Sequence, residues 1–125
     1  MTDEHQKVTG HKKLDVWNRA IDFAVQVYEI TSHFPSTETY GLISQLRRAA
    51  NSIPANIAEG AARASRKDYA YFVSVALGSA SECETFLIIA NKLKFLDKIG
   101  HEETSNELAI IIRMLAKLRA GLKES

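Results

Sequence analysis

The chain has 125 residues, 46% of them hydrophobic and 25% charged, with a formal net charge of +1, which suits one soluble domain with its own core and excludes a disordered or fibrous chain. So balanced a charge also excludes bulk attraction to nucleic acid, leaving only a local patch to supply it. No apolar run approaches the roughly 18 residues of a membrane span, the opening MTDEHQKVTGHKK has no signal-peptide core, and the lone Cys83 excludes an intrachain disulfide, so the expected location is the cytoplasm.

Residues 1–12 read as a flexible tail and residues 13–125 as a single domain with four periodic segments. The first, from about Leu14 to His33, carries two apolar stripes at helical spacing. Leu14, Trp17, Ile21, Ala24 and Tyr28 form one; Val16, Ala20, Phe23, Val27, Ile30 and Phe34 form the other. Their centres lie roughly 110° apart. One stripe fills a bundle core, and the second asks for another subunit, with Phe23, Val27 and Ile30 as the expected oligomer interface.

Phe34 and Pro35 end this helix, because the residue before proline is pushed out of helical geometry. Ser36 or Thr37 is the expected cap of the next, with Glu38 in its first turn. The second helix keeps Leu42, Leu46, Ala49, Ala50, Ile53, Ile57 and Gly60 in one phase across Pro54. A break would have reset that phase, so the expectation is one helix kinked at the proline. Beside the stripe, Gln45, Arg48, Ser52, Asn56, Glu59 and Arg63 step by three or four into a polar ladder. It has no lysine and several short polar groups, which suits a hydrogen-bonded network better than open solvent.

Ser65 and Asp68 open the third helix as an approximate capping box. Its apolar face is Tyr69, Phe72, Val73, Ala76, Ala80, Cys83, Leu87 and Ala90, and close packing is expected to offset the cost of Gly78. Leu108, Ile111, Leu115, Leu118 and Leu122 then give the fourth helix a bundle seam. The fold class is all-α, an antiparallel up-down-up-down four-helix bundle.

The run YGLISQLRRAANSIPANIAEGAARASRKDYAYFVSVALGSASECE, with LDVWNRAIDFAVQVYEITSHFP before it, resembles the bacterial 23S rRNA intervening-sequence proteins over roughly residues 12–97. The pieces QLRRAA, SIPANIAEG and GSxSE occur in order. The resemblance implies a compact bundle assembled as a homopentamer, and a relation to the accessory variability proteins of diversity-generating retroelements, which engage nucleic acid and a reverse transcriptase. It marks Arg47, Arg48, Ser52, Asn56, Glu59, Gly60 and Arg63, and on the third helix Gly78, Ser79 and Glu82, as signature positions without a catalytic role.

Nothing in the chain spells an enzyme. Glu-x-x-His pairs for a metal are missing, as are a phosphate loop and a nucleophile motif; His5, His11, His33 and His101 are scattered. No cofactor is expected. Glu59 and Glu82 would make a carboxylate pair, but an ion pair of Glu82 with an arginine is the stronger expectation. Two non-enzymatic readings follow. The first is weak nucleic-acid binding through Arg47, Arg48, Arg63, Arg66 and Lys67, with the basic patch at the junction of the second and third helices, repeated around an oligomer. The second is a scaffold whose ring docks a protein partner.

Overall fold

The computed structural model describes residues 10–124. A short 3-10 turn, His11–Lys13, leads into α1, Asp15–Thr31; a second 3-10 turn, Ser36–Glu38, leads into α2, Leu42–Ala61; α3 is Arg66–Lys92 and α4 is Lys98–Lys123. Each helix touches its chain neighbours and α1 also touches α4, whereas the diagonal pairs, α1 with α3 and α2 with α4, stay apart. That is a four-helix bundle, and no strand occurs among the described residues. Most of the expected flexible tail, residues 1–9, lies outside the described residues. Its last residues do not: His11 packs edge-on against Trp17, with ring centroids 5.1 Å apart.

The core forms where four apolar stripes meet. Phe23, Leu46, Ile53, Ile57, Leu87, Leu108, Ile111 and Leu115 are its largest fully buried side chains. Each such burial stabilises the fold by about 1.5–3 kcal/mol before chain entropy is subtracted. α2 runs unbroken through Pro54, which is itself buried. Ser65 caps α3, its hydroxyl accepting from the Asp68 N–H at 3.0 Å, and Asp97 caps α4 by accepting from the Gly100 N–H at 2.7 Å.

Three expectations are corrected. The first concerns α1: Phe23 and Val27 are 0% exposed inside the core of the single chain, so they are not an oligomer interface, and Ile30 is half-buried against that core. The other stripe divides: Ala24 is buried and Leu14 and Trp17 pack against the core, while Ile21 and Tyr28 are exposed, with Val25, of neither stripe, beside them. The physical reason is company: α2 and α4 present their large apolar side chains to the Phe23 side, and Ala20 and Ala24 let them approach.

The second correction is the start of α2. Neither Ser36 nor Thr37 caps it, since both sit in or beside a separate 3-10 turn. Glu38 instead reaches forward, its Oε1 accepting from the Leu42 N–H at 3.3 Å.

The third is Gly78, which lies on the exposed side of α3, where an added Cβ would meet nothing within 4 Å. The close approach belongs to Gly60, whose added Cβ would stand 2.9 Å from Phe72 Cβ and 3.0 Å from a Tyr69 ring carbon. Finally, α3 is long and apolar enough, by length and composition alone, to cross a membrane, although no uninterrupted apolar run foretold it. Its inner side, from Ala70 to Ala90, packs in the bundle, and 33% of its apolar window is buried there.

Candidate functional site

The polar ladder of α2 splits into a network, an ion pair and a cleft. Asn56 Nδ2 donates to the Ser52 carbonyl at 2.8 Å and to Ser52 Oγ at 2.9 Å. Ser79 Oγ, on α3, donates to the same Ser52 Oγ at 2.8 Å. Ser79 is buried, so this chain of short polar groups ties α2 to α3 while satisfying what it buries. One turn further on, Glu59 pairs with Arg63, and the Arg63 guanidinium lies 4.7 Å from the centre of the Phe72 ring.

At the other end of the ladder, Gln45, Arg48 and Ser52 of α2 face Glu82 and Phe86 of α3 across a cleft of about 370 Å³, with Tyr40 and Ser44 at its mouth. Arg48 and Glu82 flank this cleft without forming the expected ion pair: among the described residues, the ion pairs are Arg19 with Glu107 and Arg63 with Glu59. Both groups are exposed, and water solvates them separately at little cost.

The five cations expected to bind nucleic acid fall into two groups, with Arg63, Arg66 and Lys67 at the α2–α3 junction. Arg47 and Arg48 lie near the start of α2 and Arg63 beyond its end, roughly 22 Å away along the helix at 1.5 Å per residue. Three are also occupied. Arg47 Nε donates to Thr31 Oγ1 at 2.8 Å and its guanidinium covers the Tyr28 ring at 4.6 Å. Arg63 holds Glu59. Arg66 donates to the backbone carbonyls of Gly121 at 2.5 Å and Leu122 at 3.3 Å, satisfying acceptors that the last turn of α4 leaves open.

Sequence reasoning missed a groove beside Arg66, because its walls come from the middle and the end of the chain, some fifty residues apart. Lys67, Ala70, Tyr71 and Ser74 of α3 and Leu122 and Lys123 of α4 enclose about 470 Å³. Arg119 Nη1 donates to Ser74 Oγ there at 3.3 Å, and Tyr71 is 63% exposed. The only available signal was charge: Arg113, Lys117, Arg119 and Lys123 stand against Glu124 at the end of the sequence.

Cys83 is buried, and burial, with the Glu82 carboxylate nearby, pushes its thiol up to about 12, far from a reactive thiolate. Burial also raises the Tyr69 phenol. Among the described residues, no three of His, Cys, Asp and Glu are grouped to hold a metal.

Comparison with known proteins places this geometry. The family described as 23S rRNA-intervening sequence protein matches residues 12–117. A crystal structure of a protein of unknown function from the S23 ribosomal protein family of Bacteroides thetaiotaomicron superposes with a TM-score of 0.78 at 24% identity, covering 87% of this chain and 99% of that one. That likeness concerns the fold. No curated protein matches the sequence.

Proposed function

The chain belongs to the 23S rRNA-intervening sequence protein family, and from that premise we propose that it acts without catalysis, as the subunit of a cytoplasmic homo-oligomer that serves as a scaffold. The observation that carries this reading is the outward apolar row of α1, in which Arg47 covers part of Tyr28 and Ile21 and Val25 stay open. Ile21, Val25 and Tyr28 follow one another at helical spacing and are 37%, 55% and 43% exposed. Single exposed apolar residues are ordinary, but a continuous stripe on a helix is a contact surface in search of a partner. The homopentamer implied by the family resemblance supplies one.

Light scattering at micromolar concentration tests it. The expected molar mass is several chains, five on the family reading, and Val25→Asp with Ile21→Asp should reduce it to one chain with the helical signal unchanged. A wild-type protein that stays a single chain removes the proposal.

A second reading has its own observation. The groove of Lys67, Tyr71 and Lys123 combines cations with an exposed aromatic ring, the combination by which single-stranded nucleic acid is held through phosphate and base stacking. Binding there should be weak and indifferent to sequence. It should fall with salt, and Lys67→Ala with Lys123→Ala should flatten that dependence. Absence of binding to mixed RNA and DNA at low salt would leave the scaffold to dock a protein instead.

A further inference from the structure

We propose that the cleft between α2 and α3 binds a free amino acid, with its carboxylate held by Arg48 and Ser52 and its ammonium by Glu82. The site is separate from the groove beside Arg66, and its operation does not depend on self-association. The packing of the two helices sets its walls. Gly60 lies against Phe72 and Ser52 bonds to Ser79, so residue numbers climb on one helix as they fall on the other. Continuing that register by one turn sets Arg48 opposite Glu82, about 6 Å beyond the Ser52–Ser79 bond at 1.5 Å per residue.

Two facing side chains of opposite charge and such length could close on each other. These do not: the ion pairs among the described residues lie elsewhere, and a cleft of about 370 Å³ runs between the walls. Its floor also holds an unspent group. Ser52 Oγ accepts from Asn56 Nδ2 at 2.9 Å and from Ser79 Oγ at 2.8 Å, which fills both of its acceptor positions. Its own hydroxyl proton goes to no acceptor among the described residues. Because Ser79 is buried, the bond from it keeps Ser52 in place, and that donor is fixed one turn below Arg48.

The two charges select the ligand. A phosphate or a simple carboxylate would gain Arg48 but meet the like charge of Glu82, and an amine alone would gain Glu82 but meet Arg48. A molecule with both signs close together satisfies both walls, and an α-amino acid carries them on one carbon. The planar fork of Arg48 suits a carboxylate, with the Ser52 hydroxyl donating to one of its oxygens. The rest of the lining decides the side chain. Phe86 stands one turn past Glu82, Ala49 sits beside Arg48, and Tyr40, 95% exposed, waits at the mouth. No third charged group lines the cleft, so the site favours a neutral, apolar or aromatic side chain.

Size and exposure set the affinity. The cleft lies at the small end of ligand pockets, which span roughly 300–1,000 Å³, and this suits one amino acid better than a peptide. Arg48 and Glu82 are both exposed, so water competes for each, and the dissociation constant is on the order of 1 mM. A site of that strength follows the supply of an abundant metabolite and does not scavenge traces of a rare one. Once occupied, it links α2 to α3 through a second polar bridge beyond Ser52 and Ser79, so the ligand stabilises the folded chain.

Titration of the full chain with each standard amino acid to about 10 mM, followed by backbone amide NMR, decides it. Saturable shifts are expected at Arg48, Ser52 and Glu82 for ligands with apolar or aromatic side chains. N-acetylation removes the ammonium of the best ligand and amidation removes its carboxylate charge; each should weaken binding by about tenfold or more. Arg48→Ala and Glu82→Gln should do the same with the helical signal unchanged. The proposal is overturned by the absence of a saturable shift from any amino acid, or by an N-acetyl derivative that binds as well as its parent. Shifts that survive both variants, or that centre on Lys67 and Tyr71, put the ligand elsewhere and overturn it equally.

Discussion

Arg47 and Arg48 are sequence neighbours with opposite employment. Arg47 is half-buried, bonded to Thr31 and stacked on Tyr28, so it closes the joint between α1 and α2. Arg47→Ala should lower stability by about 1–2 kcal/mol in urea unfolding, the cost of stranding the buried Thr31 region and losing the stacked ring contact. Arg48→Ala should stay within about 0.5 kcal/mol, as exposed substitutions do. The two glycines of α2 and α3 divide in the same way. Gly60→Ala drives a methyl into Phe72 and Tyr69 and should cost about 1–3 kcal/mol, whereas a dissociated chain with Gly78→Ala should gain up to about 1 kcal/mol.

Cys83 gives a residue-level pH prediction. Its folded thiol sits at about 12, above the ordinary value of 9.0. The unfolded chain therefore loses its thiol proton first as pH rises, and it binds fewer protons than the folded chain between those two values. The stability associated with this group is fully present below pH 9.0 and is lost as pH climbs toward about 12. Urea midpoints should decline over that window, and Cys83→Ala should flatten the decline. A decline as steep in the variant would assign the loss elsewhere, to Tyr69 among others.

At the scale of the element, the helices depend on a few end contacts. Arg66 at the start of α3 ties down three carbonyls at the end of α4. Arg66→Ala should speed hydrogen exchange in the last turns of α4, leaving the middle of that helix protected; uniform exchange along α4 would contradict a local role. Ser65→Ala removes the α3 cap and should cost about 1 kcal/mol. Pro54 shows how phase outranks propensity. Proline inside a helix costs about 3 kcal/mol, yet Ile53 and Ile57 on either side are fully buried, and their shared face holds α2 continuous. Pro54→Ala should keep the helical signal and move stability by no more than about 1 kcal/mol, as the regained backbone bond and the lost buried ring offset each other.

Across the whole molecule, the two ends differ. At the end formed by the α1–α2 and α3–α4 connections, Phe34 stacks on Phe95 at 5.8 Å, and Tyr40, Leu93 and Ile99 are exposed. At the other end Arg66, Lys67, Arg119 and Lys123 surround the groove. A homo-oligomer joined through the outward side of α1 would present each end in repeated copies, so that a modest groove gains from avidity. A dissociating variant such as Val25→Asp with Ile21→Asp should then weaken nucleic-acid binding in gel shifts at low salt even though the groove is untouched. Equal binding by single chain and assembly would place the affinity wholly within one groove.

The amino-acid sequence by itself determined four helices, the continuity of α2 through Pro54, the caps at Ser65 and the bundle seam of α4, because each is set by spacing along a short stretch of chain. It also showed that α1 has two apolar stripes. Only the tertiary structure decided which of the two is core, since periodicity records that a face is apolar and not which helix covers it: Phe23 and Val27 went inward because α2 and α4 converge there. The same reason separates Gly60 from Gly78, alike as helical glycines, and sets Arg47 and Arg48 apart from the cations of the α2–α3 junction. Charge and size are properties of residues, whereas a partner for them is a property of packing, and packing joins Lys67 to Lys123 and Ser52 to Ser79 across distances the chain does not express.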